Sequence, residues 1–178
     1  MRVLVTAASR HGGTTSISRE VAHLLHEAGH AAYVAAPDEV HGLDGVDAVV
    51  LGSAVYGGRW MDQARHFARR LSDQLEQRPV WLFSSGPVGD PPGRGMDRVD
   101  ASEVERRTGA LEHRVFGGRL DDTLLSRGER ARARRARVAP GDYRQWGEIR
   151  CWAEGLAYQL DQQALAAART TPTEDFQP

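Results

Sequence analysis

Residues 1–15 read MRVLVTAASRHGGTT. The run RVLVT at 2–6 suits a buried strand, and it passes directly into a small, glycine- and hydroxyl-rich loop over residues 7–14. An amphipathic helix follows, with Ile17, Val21, Leu24, Leu25 and Ala28 at helical spacing and Gly29 as its C-cap. A strand, such a loop and a helix N-terminus together form an anion-binding device. Backbone N–H groups point outward, the helix dipole is positive at that end, and Ser/Thr hydroxyls add donors. Glycine lets the backbone close around an anion where a Cβ would interfere. The opening of the chain therefore reads as a phosphate site.

Working outward, apolar runs alternate with helical stripes. HAAYVAA at 30–36 is a short strand, and VDAVVLGS at 46–53 is a nearly continuous apolar run of the kind buried on both faces. Residues 60–77 read as a helix carrying Met61, Ala64, Phe67, Ala68, Leu71 and Leu75 on one side. PVWLFS at 79–84 is another buried strand, followed by a proline- and glycine-rich loop over 85–95. A short helix is expected over 102–109, a fifth strand over 113–120, and a last helix beginning at Gly141-Asp142 with Trp146, Ile149, Ala153, Leu156 and Leu160 on a common face. Residues 169–178 read as a disordered tail behind one domain spanning 1–168. Such alternation predicts an α/β fold, a doubly wound parallel sheet with right-handed crossovers.

A chain of 178 residues with 40% hydrophobic content can bury a full core. Its net charge of −1 gives no bulk electrostatic reason to expect nucleic acid as a partner. One cysteine excludes an internal disulfide and a four-thiolate metal site, and it fits a reducing compartment. With no transmembrane segment and no cleavable leader in the sequence, the expected location is cytoplasmic.

In open parallel sheets ligands bind beyond the carboxyl ends of the strands, where strand order reverses. The loops after the first, third and fourth strands are therefore expected to converge. The first supplies Ser9, Arg10, His11, Gly12, Gly13, Thr14 and Thr15. It matches neither GxGxxG nor GxxxxGK[ST], which argues against nucleoside triphosphate hydrolysis. The second supplies Ser53, Ala54, Val55, Tyr56, Gly57, Gly58 and Trp60. Tyr56 and Trp60 can stack on a flat ring, and a glycine peptide can turn toward a ring nitrogen that gains a proton on reduction. The alternative for both aromatics is that they plug the end of the core. The third loop supplies Ser85, Gly86, Pro87 and Gly89, whose backbone amides would border the ring's polar edge.

The first-loop spacing, a hydroxyl residue, two variable positions, Gly, a variable position and Thr, resembles the phosphate loop of flavodoxins. Taken together, residues 2–89 look like a flavodoxin-type FMN site. The group containing menaquinone-dependent protoporphyrinogen oxidase is similar in two further segments, the strand at 113–120 and the stretch Asp142-Tyr143-Arg144-Gln145-Trp146. The resemblance implies a five-stranded parallel sheet of order 2-1-3-4-5, noncovalent FMN, and redox chemistry or electron transfer with a partner protein, a quinone or a small molecule. It departs from electron-shuttling flavodoxins in charge, since those are strongly acidic. Alternatives are a quinone-linked protoporphyrinogen oxidase, a hydride-transfer protein using a deazaflavin coenzyme, and a cofactor-free binding or regulatory module.

Arg127, Arg130, Arg132, Arg134, Arg135 and Arg137 form a basic cluster against Glu129 alone. It reads either as a solvated face or as a docking patch for an anionic ligand, such as a carboxylate-rich substrate, an acidic partner or a polyglutamate tail. The seven histidines show no metal pattern. Cys151 reads as a packing residue, and no side chain is singled out as a catalytic acid or base.

Overall fold

The computed structural model describes residues 1–86, 99–135 and 138–170. Five parallel strands form the sheet: β1 (Arg2–Ala8), β2 (Ala31–Ala35), β3 (Ala48–Tyr56), β5 (Val80–Ser85) and β6 (Glu112–Phe116), in spatial order β2-β1-β3-β5-β6. Between β3 and β5, a two-residue strand β4 (Arg59–Trp60) pairs antiparallel with β3. With β4 set aside, the order is the expected 2-1-3-4-5.

Side-chain alternation along the strands divides the core into two layers. Val3 and Val5 of β1 and Trp81 and Phe83 of β5 face α1 (Gly13–Glu27) and α6 (Trp146–Thr170), packing on Ile17, Val21, Ile149 and Leu156. Leu4, Leu51 and Leu82 point the other way, onto α2 (Asp62–Arg70), α3 (Ser72–Leu75) and α4 (Ser102–Thr108), through Phe67, Leu75 and Val104. At Gly52 of β3 the Phe83 ring of the neighbouring strand β5 lies over the backbone. A Cβ there would stand inside the Phe83 ring, so this strand position admits glycine alone.

Four sequence expectations need correction. The helix over 60–77 begins only at Asp62 and breaks at Leu71. Gly57 and Gly58 both take positive φ, 60° and 79°, the requirement of a two-residue type I′ hairpin, and this returns Arg59 and Trp60 onto Tyr56 and Val55. The strand over 113–120 stops at Phe116. Gly117 lies so close to the Tyr143 carbonyl that no side chain fits, and the chain leaves the sheet there. Residues Arg119 and Leu120 (β7) then pair with Gly141 and Asp142 (β8), which form a strand rather than the start of α6. The basic segment forms helix α5 (Arg127–Arg135), which buries no residue. Cys151 is exposed on α6, not packed. The expected tail lies, from residue 171 on, outside the described residues.

Candidate functional site

Parallel pairing sets Ala8 beside Ser53, Ser53 beside Ser84, and Ala54 beside Ser85. The carboxyl ends of β1, β3 and β5 thus share one edge, and the three glycine-rich loops leave from it together. The Arg10 guanidinium lies 5.2 Å from the centroid of the Tyr56 ring, joining the first loop to the second. Gly86, at φ 116°, packs on the backbone of Val55 and donates its N–H to the Phe116 carbonyl at 2.9 Å. Pro87 and Gly89 lie outside the described residues.

The first loop is built to leave donors open. Gly12 caps α1 in the left-handed region, φ 76° and ψ −8°, with no side-chain cap and no acidic residue in the first turn. The first intrahelical bond runs from the Ser16 N–H to the Gly12 carbonyl at 3.0 Å. The N–H groups of Gly13, Thr14 and Thr15 therefore have no partner within the helix, and they stand at the positive end of its dipole. Thr14 is buried, while Ser9 and Thr15 are partly exposed beside the same turn.

Arg10 and His11 are occupied otherwise. Arg10 Nη1 donates to Glu129 Oε1 at 2.9 Å, and His11 Nε2 lies 3.3 Å from the same oxygen. The other carboxylate oxygen accepts the Ser126 N–H at 2.9 Å, and the Ser126 hydroxyl accepts the Glu129 N–H at 3.2 Å, a capping box that opens α5. The Ser126 bonds, followed by Arg10, hold the Glu129 carboxyl down at about 2. Burial raises the Tyr56 phenol above its ordinary value against an opposing pull from Arg10, so it stays neutral at physiological pH.

Trp60 is the clearest departure among the candidate ligands. Only 2% exposed, it belongs to the core layer with Ala64 and Phe67. Its indole N–H donates to Ser84 Oγ at 2.7 Å, Ser84 Oγ lies 2.8 Å from His113 Nε2, and His113 Nδ1 lies 2.7 Å from Glu105 Oε1. Serine, histidine and glutamate in this order have the spacing of a hydrolytic triad. Ser84 is fully buried, however, and Trp60 already donates to it, so the set works as a structural network. Tyr56, at 44% exposure, is the aromatic that the second loop offers to a ligand. Ser53 is also buried, and its hydroxyl accepts the Met61 N–H at 2.9 Å, closing the turn into α2. Ala54 and Ser85 are buried, Val55 and Gly58 partly so, and Gly57 is exposed at the hairpin tip.

Two arginines beside the first loop were not among the candidate site residues. Arg144, whose side chain is 6% exposed, grips Asp142 through Nε and Nη2 at 2.7 and 2.6 Å and donates from Nη1 to the Gly13 carbonyl at 3.2 Å. Arg144 also holds the Asp142 carboxyl below the usual range. Arg119 Cβ and backbone pack against Gly13. The signal for Glu129 was present as Ser126-Arg127-Gly128-Glu129, the S-x-x-E pattern of a capping box.

The model of the flavodoxin domain family matches residues 4–136. The chain belongs to the flavodoxin domain family. No curated protein matches it. Among solved structures it is similar to a flavodoxin of Streptococcus pneumonia, with TM-score 0.61, 20% identity, and coverage of 92% of this chain and 99% of that one. A flavodoxin mutant from Pseudomonas aeruginosa gives TM-score 0.54 and 18% identity over 90% of this chain and 99% of its own. The rubredoxin oxygen:oxidoreductase of Desulfovibrio gigas gives 0.59 and 12% over 92% of this flavodoxin-family chain, but only 37% of its own length. At these identities the likeness is one of fold. Among the described residues no helix is long and apolar enough to cross a membrane, and no group of His, Cys, Asp and Glu could hold a metal ion.

Proposed function

We propose that this flavodoxin-family chain binds FMN noncovalently at the shared edge of β1, β3 and β5 and serves redox chemistry as an electron-transfer flavoprotein. One observation carries the reading. The uncapped N-terminus of α1, with its open amides at Gly13, Thr14 and Thr15, follows a loop whose Arg10 reaches over an exposed aromatic, Tyr56. A phosphate monoester fits such a turn, because the donors are backbone groups, Gly12 adds no side chain, and no acidic residue stands in the first turn.

When bound, FMN supplies reversible one- and two-electron chemistry of its own. This chain's contribution is placement. The amides and the hydroxyls of Ser9, Thr14 and Thr15 would hold the phosphate, and Arg144 would keep the Gly13 peptide in register. Tyr56 would cover a ring face against water. Arg10 is already matched by Glu129, so anion recognition falls on neutral donors, and the phosphate needs no free guanidinium.

The test is a flavin titration of the purified chain. Uptake of FMN is expected, read from the visible absorption that the cofactor's own chemistry supplies. A chain that takes up no FMN contradicts the reading. Preference for a deazaflavin over FMN would move it to hydride transfer.

A further inference from the structure

We propose that the outward face of α5 is a docking surface for a redox partner protein with an acidic, carboxylate-bearing face. The proposal rests on the FMN electron-transfer reading above and names the kind of partner that reading requires.

Arginines elsewhere on the surface mostly meet carboxylates of the chain itself, as Arg65, Arg69, Arg107, Arg119 and Arg150 do. Arg127, Arg130, Arg132, Arg134 and Arg135 are all exposed, and among the described residues none has a carboxylate partner. Arg130 and Arg134 are four apart, and Arg132 and Arg135 three apart. Like charges at these spacings cost a helix a few tenths of a kcal/mol each, and α5 offsets none of it by burying a residue in the core.

The helix is nevertheless oriented. Its partly buried positions, Glu129 and Ala133, are one turn apart, and the Glu129 carboxylate is fastened to Arg10 and His11 of the first loop. The inward face thus carries the one acid, and the arginines are turned out. The location is also specific: Glu129 touches Arg10, and Arg10 covers Tyr56, so the basic face borders the edge where the proposed cofactor would exchange electrons.

The chemistry selects the partner. Planar guanidinium forks match carboxylates bidentately. The segment RGERARARR has no apolar side chain larger than alanine with which to enter a lipid surface, and no aromatic ring on which a base could stack.

The experiment uses the FMN-loaded full chain and measures affinity for an acidic [2Fe–2S] ferredoxin, with a basic c-type cytochrome as the opposite-charge control. The ferredoxin is expected to bind more tightly than the cytochrome, and to weaken steeply between about 50 and 500 mM salt. The triple variant R130Q/R134Q/R135Q should lose about tenfold or more in affinity while keeping its FMN affinity. R106Q, which removes an exposed arginine on α4, should change it by less than about twofold. Equal or tighter binding of the cytochrome, an unchanged triple variant, or tighter binding to poly(dT) or to phosphatidylglycerol vesicles than to the ferredoxin would overturn the proposal. Failure to take up FMN is a separate result, visible before any partner is added, and it would overturn the reading beneath.

Discussion

Arg10 and Glu129 meet at 2.9 Å across 119 positions of sequence, joining the loop after the first strand to a helix that buries nothing. The pair gives α5 its fixed place. It also occupies the first loop's one arginine. What remains for an anion is the open N-terminus of α1.

Glu129 titrates low, so the latch has a defined pH window. A carboxyl held at about 2 in the fold, against an ordinary value of 4.5, contributes stability that is complete above about pH 4.5. That contribution is lost as pH falls through about 2. The protection of the α5 amides, taken relative to their intrinsic exchange rate at each pH, should therefore fall below about pH 4.5. E129Q should exchange quickly at neutral pH and lose this acid dependence. Equal protection of α5 in E129Q and the parent chain would show that the latch does not hold the helix.

The Trp60–Ser84–His113–Glu105 network is expected to act on stability alone. Ser84→Ala leaves the buried indole N–H and the imidazole Nε2 without their partner, a cost of about 1–3 kcal/mol. For a chain of this size that lowers Tm by roughly 3–10 °C. FMN affinity should change by less than about threefold. A large loss of flavin with unchanged Tm, followed by calorimetry and flavin fluorescence, would place Trp60 in the site after all.

Gly52→Ala should cost about 1–3 kcal/mol or more, since its methyl collides with the Phe83 ring. Adding Phe83→Leu should recover part of the loss, a coupling that a double-mutant cycle by urea denaturation measures directly. Additive effects of the two changes would contradict a steric cause.

Arg144→Ala removes the clamp on Asp142 and the bond to the Gly13 carbonyl together. FMN affinity should fall about tenfold, matching the roughly 1.4 kcal/mol of one charge-assisted hydrogen bond. Riboflavin affinity, by contrast, should hold. Equal losses for the two ligands would mean that Arg144 supports the fold in general and not the phosphate turn.

Much of this was legible in the sequence because the signals are local. Val3 to Val5 and Ala48 to Leu51 are continuous apolar runs that suit only a sheet covered on both faces, and Gly12-Gly13-Thr14 marks the turn into α1. The failures are nonlocal. Trp60 looks the same in sequence whether it stacks on a ligand or plugs the core; the choice is made by Ser84 and His113, far along the chain. Likewise Gly117 ends β6 because Tyr143 crosses it, a contact that periodicity does not report. Arg144 and Glu129 reach the first loop through tertiary packing, and no spacing rule links them to it.

The central claim is that the turn from Ser9 to Thr15 recognises a phosphate attached to a flavin. Comparing the Kd of FMN with that of riboflavin, by quenching of flavin fluorescence on the intact chain, tests it most directly. FMN is expected to bind at least about a hundredfold more tightly, the equivalent of roughly 2.7 kcal/mol from the phosphate alone. Equal affinity for the two flavins would contradict it.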